Sequence, residues 1–307
     1  MPDIIFVASF VVGLTVRLPR MPYPGESLVA DLFDMGPGGK GTNMAVAAAR
    51  QGASIRVIAK VGDDSFAQLA FDLYQAEGID TSHLIRTPGE STAAGLVYLQ
   101  PNGENCIGFY RGANWMLTPQ DIDRIEPEMQ GAKVLVTQLE IPDEAVLHAV
   151  ELGKRHNLRI ILNPAPARPI DPAIFRFIDI ITPNEGEART LAGIAPDDAS
   201  TDIGEVGQRL LDLGLRTVII TRGAQGCMIF ERDSHPVEIP AYSVTPVDTV
   251  GAGDAFNGGL TVALSEGKSI REAARWANAT AALSTTAVGS IRALPNRPQI
   301  EALLEKS

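Results

Sequence analysis

Between residues 133 and 221 the chain alternates short, uninterrupted apolar runs with stretches whose apolar positions recur at helical spacing. Residues 133–137, 159–163, 178–182 and 217–221 have the length and aliphatic content of buried strands, and residues 142–156, 184–192 and 203–213 read as helices. A strand that is apolar at nearly every position is covered on both faces, and strands that alternate with helices pair in parallel. The pattern predicts an α/β fold with a mostly parallel central sheet flanked by helices on both faces. Residues 4–8 and 55–61 read as two further strands. Residues 44–51, 65–77, 254–266, 270–287 and 298–305 read as helices, the second of them capped by Gly62-Asp63-Asp64.

Two segments break this rhythm. In residues 13–35, Leu14, Val16 and Leu18 alternate with more polar neighbours, Pro19, Pro22, Pro24 and Gly25 interrupt, and residues 28–33 read as a second half-exposed strand. Residues 94–100 and 106–110 alternate around Asn102-Gly103, a hairpin signal. Together the two segments are expected to form a small β-sheet lid on a single domain spanning residues 1–307. An exposed small sheet has edges to cover, so a homodimer through the lids is expected.

The net charge of −11 argues against a nucleic-acid or anionic-membrane partner, though not against a nucleotide in a locally positive pocket. No apolar run approaches the ~20 residues that span a bilayer. The apolar N-terminus follows Asp3 and has no basic leader, so it reads as a strand and not as a signal peptide. Cys106 and Cys227 lie far apart and have neither metal nor disulfide spacing, which fits a reducing cytoplasm. The four histidines, His83, His148, His156 and His235, follow no ligand pattern.

The stretch Asp248-Thr249-Val250-Gly251-Ala252-Gly253-Asp254 precedes a long helical pattern. Unpaired N–H groups and the helix dipole make such a start an anion site, and Gly251 and Gly253 let a ligand approach the backbone. Asp254 at its mouth is placed to accept a proton from an attacking hydroxyl. An anion cradle with a carboxylate base suits phosphoryl transfer to an alcohol. A second glycine-rich stretch, Gly36-Pro37-Gly38-Gly39-Lys40-Gly41-Thr42-Asn43, satisfies G-x-G-x-x-G through Gly36, Gly38 and Gly41 but fails the Walker A spacing. What survives is a flexible loop with Lys40 and Asn43 as donors.

In doubly wound sheets ligands sit beyond the carboxyl ends of the strands. Polar groups gather there: Gln138-Leu139-Glu140, Asn163-Pro164-Ala165-Pro166-Ala167, Thr182-Pro183-Asn184-Glu185-Gly186-Glu187 and Thr221-Arg222-Gly223-Ala224-Gln225-Gly226. Asn184 and Glu187, three apart at a helix start, suit Mg²⁺ held through its waters. Thr221 and the 223–226 loop suit a nucleotide's phosphates or ribose, and Asn278, on an Ala-rich helix, suits an adenine. For each of these, ordinary cap and loop chemistry is the competing explanation.

The stretches 38–43, 138–140, 163–167, 182–185 and 248–254, with Gly62-Asp63-Asp64 and Arg111-Gly112-Ala113-Asn114, resemble the ribokinase-type carbohydrate kinase family over residues 4–304. The resemblance implies transfer of the ATP γ-phosphate to a sugar's primary hydroxyl, D-ribose to D-ribose 5-phosphate in the first instance. It makes Asp254 the base and Gly251, Ala252 and Gly253 the anion hole. It assigns the sugar to Gly39, Lys40, Gly41, Asn43, Glu140 and Asp254. ATP falls to Asn184, Thr221, Arg222, Gly223, Ala224, Gln225, Gly226, Gly253 and Asn278, and Mg²⁺ to Glu187 with Asn184. An activating K⁺ falls to Asp248, Val250, Ser284, Ala287, Gly289 and Ala293. Two positions depart from the family pattern. Where the family has a sugar-gripping Asn-x-Asp this chain has Val11-Val12-Gly13, which opens the acceptor to another pentose, a hexose or a nucleoside. Ala293 replaces a residue that often bears a hydroxyl. A non-catalytic sugar or nucleotide sensor, and a dinucleotide-dependent oxidoreductase resting on the Gly36–Gly38–Gly41 match, are the readings from other classes.

Overall fold

The computed structural model describes residues 1–306. The chain lays down β1 (Ile4–Val7) and passes at once into β2 (Val11–Arg17) and β3 (Leu32–Gly38), then α1 (Lys40–Arg50), β4 (Ile55–Val61), α2 (Ser65–Ala76) and β5 (Leu84–Arg86). Strands β6 (Ala94–Leu99) and β7 (Asn105–Tyr110) follow, then α3 (Pro119–Asp123), β8 (Val134–Thr137), α4 (Asp143–Arg155), β9 (Arg159–Leu162), β10 (Ile180–Ile181), α5 (Glu185–Leu191) and α6 (Ile203–Asp212). The remainder forms β11 (Thr217–Thr221), β12 (Cys227–Glu231), β13 (Val237–Ile239), α7 (Ala252–Ser265), α8 (Ile270–Ser284) and α9 (Arg297–Glu305).

Nine strands make the central sheet in the order β13-β12-β11-β10-β9-β8-β1-β4-β5. Pairing is parallel from β11 to β5, and β12 and β13 add an antiparallel edge. The two faces of β1 show why the runs are apolar throughout. Ile4 and Phe6 join a core with Met44, Ala47, Phe256 and Ala277 on one side, while Ile5 and Val7 join Ile122, Val146 and Leu210 on the other. All four β1 side chains are at most 1% exposed. This is the doubly covered α/β architecture expected from the periodicity.

A separate four-stranded sheet, ordered β3-β2-β6-β7, rises from the carboxyl end of β1. Asn114 fixes its root: Oδ1 accepts from Phe10 N at 3.0 Å and Nδ2 donates to Phe10 O at 2.9 Å. Here the structure corrects the expected boundaries. The strand expected at 28–33 is β3, which starts at Leu32 and runs through Gly36-Pro37-Gly38, because β2 supplies its partners from Arg17↔Leu32 to Val11↔Gly38. The glycine loop expected up to residue 43 is shorter, because Lys40 already opens α1. Gly39 caps it at φ 99, and Gly41 lies so close to β1 that a Cβ would meet Ala8 Cα at 2.4 Å. Gly36 and Gly38 thus lie in a strand of the small sheet and Gly41 in a helix, so the dinucleotide fingerprint has no βα turn to occupy. The 222–226 segment is also not a βα loop: it is the hairpin between antiparallel β11 and β12, neither β12 nor β13 having been expected.

Close helix packing brings the two glycine-rich stretches together. Helix α7 meets α1 at Gly258, where a Cβ would lie 2.5 Å from Ala47 Cβ, and meets α8 at Gly259, where a Cβ would lie 2.5 Å from Thr280 Oγ1. Gly258 and Ala47 sit one turn along from Asp254 and Asn43, so this contact sets their approach. Gly258→Ala is therefore expected to destabilise the protein by about 1–3 kcal/mol through overpacking, although alanine is the better helix former. Urea unfolding of the two proteins measures it; a stabilised variant would show that the helices do not touch here.

Candidate active site

The rim of the central sheet gathers Lys40, Asn163, Ala165, Thr182, Asn184, Glu187, Thr221, Thr249 and residues 251–254 around one depression, with Asn257 beneath. At its centre Asp254, 6% exposed, accepts a 2.7 Å hydrogen bond from Asn43 Nδ2. Burial pushes its carboxyl up to about 6; Lys40 and the Asn43 bond pull it back, and Glu140 and Glu187 push it further up. Glu187 is also raised, by burial first, against its bond from Asn184 N and the pull of Lys40. Lys40 shows the complementary effect. Burial works to lower its ammonium, but Asp254, Glu140 and Glu187 together hold it above its ordinary value. One cation thus faces three carboxylates drawn from three separate parts of the fold.

Glu140 is held as tightly as Asp254. Its Oε2 accepts from Ser9 Oγ at 2.6 Å and from Lys40 N at 3.0 Å. Ser9, wholly buried at the β1–β2 crossing, also receives Gly41 N on its hydroxyl at 3.2 Å and Thr42 Oγ1 on its carbonyl at 2.6 Å. Ser9 therefore ties the root of the small sheet to α1 and to Glu140. The sequence reading passed over it, although a serine inside an otherwise apolar strand exit was the available signal. Gly41, expected to meet substrate, faces the protein: its N–H is taken by Ser9 and its α-carbon packs on Ala8.

At the start of α7, Gly251 adopts φ 81, and a Cβ there would meet Ser290 Cβ at 2.7 Å, so only glycine fits. At Gly253 a Cβ would meet nothing within 4 Å, which leaves the first helical turn open to a ligand. Ala252 N instead closes a turn onto Thr249 O at 3.2 Å. Behind this turn Asn257, also overlooked in the sequence, donates to Gly253 O at 2.9 Å and accepts from Thr182 Oγ1 at 2.6 Å. Asn163 Nδ2 donates to Thr182 O at 3.0 Å. Two strand-end residues, Asn163 and Thr182, thereby brace the turn through Asn257 of α7.

The residues expected on the nucleotide side divide into two groups. Asn184 and Glu187 form a reciprocal capping box on α5, with Asn184 Oδ1 accepting Glu187 N and Glu187 Oε2 accepting Asn184 N, both at 2.8 Å. The other Glu187 oxygen and the Asn184 amide nitrogen remain for the depression. Thr221 borders Asn184 through a β-bridge. By contrast Arg222 is drawn outward by Glu238 at 3.0 Å and Glu185 at 3.5 Å. Gly223, Ala224 and Gln225 form the 3₁₀ turn of the hairpin, and Gly226 is structural: a Cβ there would meet Ile239 O at 2.1 Å. Asn278 is buried and away from the depression, with Nδ2 donating to Ile239 O at 3.0 Å and Pro240 O at 3.1 Å, so it anchors the loop after β13.

Two of the expected cation positions, Val250 and Gly289, meet through Asp248. Its Oδ1 accepts Val250 N at 3.0 Å and its Oδ2 accepts Gly289 N at 2.9 Å, which joins the loop before α7 to the loop after α8. In that second loop Gly289 O accepts Ala293 N at 3.1 Å, and Ser284 Oγ turns back to Ala281 O at 2.8 Å. Ala287 and Ala293 could bind only through their backbones. Gly13 lies on the small sheet opposite Gly36, outside the depression.

Comparison with known proteins defines the class. The model of the pfkB family carbohydrate kinases matches residues 4–297. The deoxyribokinase of Salmonella typhi is 37% identical over 303 residues, covering 98% of each chain. The ribokinase of Bacillus subtilis is 36% identical over 305 residues, covering 99% of this chain and all of its own. Among solved structures, ribokinase from Thermotoga maritima superposes with a TM-score of 0.90 at 32% identity, covering 99% of this chain and all of the other. The Arabidopsis thaliana ribokinase complexed with ribose and ATP has the same TM-score at 28% identity, covering all of this chain and 99% of its own. The chain belongs to the pfkB family of carbohydrate kinases. Within it, this is a ribokinase-like or deoxyribokinase-like sugar kinase that uses ATP.

The raised carboxyl of Asp254 has a thermodynamic consequence. Below pH 4 it is protonated in both folded and unfolded chains and has no effect. As pH rises toward 6 the unfolded chain releases this proton first, so folding stability falls by up to about 3 kcal/mol and stays lowered above 6. Asp254→Asn is expected to recover much of that loss at pH 7.5, with the gain shrinking toward pH 4. Thermal melts across this range measure it, and a destabilised variant at pH 7.5 would contradict the assignment of burial as the dominant influence.

Proposed function

We propose that the protein transfers the γ-phosphate of ATP to the primary hydroxyl of a furanose, with D-ribose, giving D-ribose 5-phosphate, as the reference acceptor. The observation that carries this reading is the buried Asp254 carboxylate, held by Asn43 at the open first turn of α7 and facing Lys40. Asp254 takes the hydroxyl proton as its oxygen bonds to the γ-phosphorus and the bond to the ADP oxygen breaks. The N–H groups of Gly251 and Gly253 and the Lys40 ammonium meet the charge on the phosphoryl oxygens, while Ala252 N holds the turn. Gly39, Asn43 and Glu140 hold the sugar, and Thr221 with the neighbouring hairpin borders the nucleotide. The hairpin and Asn278 act there through the loop they position. Glu187 and Asn184 are the residues for Mg²⁺; two oxygen-bearing side chains suffice, since that ion keeps most of its waters. Asp248 with the carbonyls of Val250, Ser284, Ala287, Gly289 and Ala293 is the set for K⁺, whose role is to fix the turn before α7. Support for the acceptor class comes from the two curated relatives, named for ribose and deoxyribose. Gly13 motivates the alternatives of another pentose, a hexose or a nucleoside.

The small sheet, with the segments 13–35 and 94–110, acts as a lid that excludes water once acceptor is bound. Its outer face, by register, presents Phe33, Met35, Leu96, Tyr98 and Tyr110, each 38–66% exposed. A patch of this kind is the natural face for a second copy of the chain. Both cysteines are free and no described helix is long and apolar enough to cross a membrane, which fits action in the cytoplasm.

Three outcomes follow. A coupled ADP-release assay over sugars is expected to find turnover with pentoses, and Asp254→Asn to lower kcat by at least 10³-fold while ATP binding, read by calorimetry, persists. For the wild type, kcat/KM is expected to rise with pH to a plateau with an apparent pKa near 6, as Asp254 loses its proton. A flat profile between pH 5 and 8 would remove Asp254 as the base. Phe33→Glu is expected to turn a dimer into a monomer in light-scattering measurements at micromolar protein, and an unchanged mass would rule out the outer lid face.

A further inference from the structure

Four residues stand in register across the lid sheet: Gly36 on β3, Gly13 on β2, Gly95 on β6 and Phe109 on β7. Residues directly opposite one another share a face. Gly38, two along β3 from Gly36, identifies that face, because a Cβ there would lie 3.8 Å from Asn43 Oδ1 and 3.8 Å from Ser290 Oγ. The row therefore looks toward Asn43 and Asp254. Neither packing nor backbone geometry demands glycine here. A Cβ at Gly13 would meet nothing nearer than Gly36 O at 3.7 Å, one at Gly95 nothing nearer than Val11 Cγ1 at 4.0 Å, and none of the three has positive φ. The three glycines leave a furrow floored by flat peptide planes.

Two further observations point to what fills it. Asn43 is 5% exposed, and while its Nδ2 holds Asp254, its Oδ1 has no partner beside the inner end of the furrow. At the other side Arg292 reaches over β3, its Nη2 3.8 Å from where a Gly36 Cβ would lie and 3.0 Å from Asp34 Oδ1. Asp34 shares the face of Gly36 and Gly38. The pair is 63% and 51% exposed, so it adds little to stability. Its remaining guanidinium donors and carboxylate lone pairs are accessible to a ligand.

We propose that this furrow and the Arg292–Asp34 pair form the distal half of the acceptor pocket and take the base of a nucleoside whose primary hydroxyl lies at Asp254. The proposal rests on the kinase reading above and narrows its acceptor to a furanose that carries a flat heterocycle. Such a ring lies against the peptide planes toward Phe109. Its edge offers both acceptors for Arg292, which only donates, and donors for Asp34, which only accepts. A bare pentose leaves the furrow and the pair unused.

The test compares kcat/KM for adenosine, inosine, cytidine and uridine with that for D-ribose, in the wild type, Arg292→Gln and Gly13→Val. At least one nucleoside is expected to exceed ribose, and both substitutions to lower that nucleoside-to-ribose ratio at least tenfold, with KM for ATP unchanged. Gly13→Val fills the furrow without touching the ion pair, so the two variants probe the subsite independently, and melting temperatures check that each is folded. Ribose exceeding every nucleoside, or a ratio that neither variant shifts, overturns the proposal. Absence of ADP release with every acceptor, sugars included, overturns the kinase reading instead.

Discussion

The site depends on one ammonium group. Lys40 stands among Asp254, Glu140 and Glu187, and without it three carboxylates would share a poorly hydrated space. Like charges at close range disfavour ionisation, so loss of the lysine would raise the Asp254 carboxyl further and weaken it as the proposed base. The lysine is placed by its own backbone. Its N–H is fixed to Glu140, and the preceding Gly39 turns with positive φ against Ser9, where a Cβ would meet the Ser9 carbonyl at 2.8 Å. The main chain of residues 39–41 therefore positions the lysine. Its side chain holds the ionisation of the base, and Glu140 belongs to both networks.

Geometry of this kind shows only partly in a sequence. The alternation of buried runs and helices was legible because covering a strand on both faces demands apolar residues at every position, and the sheet and its helices follow that rule closely. The 248–254 stretch was legible as a helix start because glycine at positive φ and an acid in the first turn are local requirements. The glycine-rich 36–43 stretch misled because its glycines answer to distant partners. Gly36 and Gly38 are extended by pairing with β2, and Gly41 is small because Ala8 lies against it. Gly226 is likewise set by Ile239, and Asn278, set on its Ala-rich helix as if to meet a ligand, is spent on the backbone of Ile239 and Pro240. Long-range contacts decide those residues, and a pattern of neighbours in sequence carries no record of them. Ser9 and Asn257 were missed for the same reason: each is an isolated polar residue whose partners lie far along the chain.

The proposed chemistry and the proposed selectivity reside on different sheets. Asp254, Lys40 and the first turn of α7 are carried by the nine-stranded sheet and its helices, whose packing through Gly258 and Gly259 leaves no room for adjustment. The glycine row is carried by the four-stranded sheet, which joins the rest through Ser9, through Asn114 and through the exposed Arg292–Asp34 pair. On the proposed function, a side chain gained or lost at Gly13 changes the roof over the acceptor without moving Asp254, because no hydrogen bond of the Lys40 cluster runs through it. That separation explains how one phosphoryl-transfer centre can accompany different acceptor pockets: the centre is constrained by buried charge, the roof only by what must fit beneath it. In this chain the proposed roof over the far half of the acceptor is peptide backbone, and the charged groups that border it are Arg292 and Asp34.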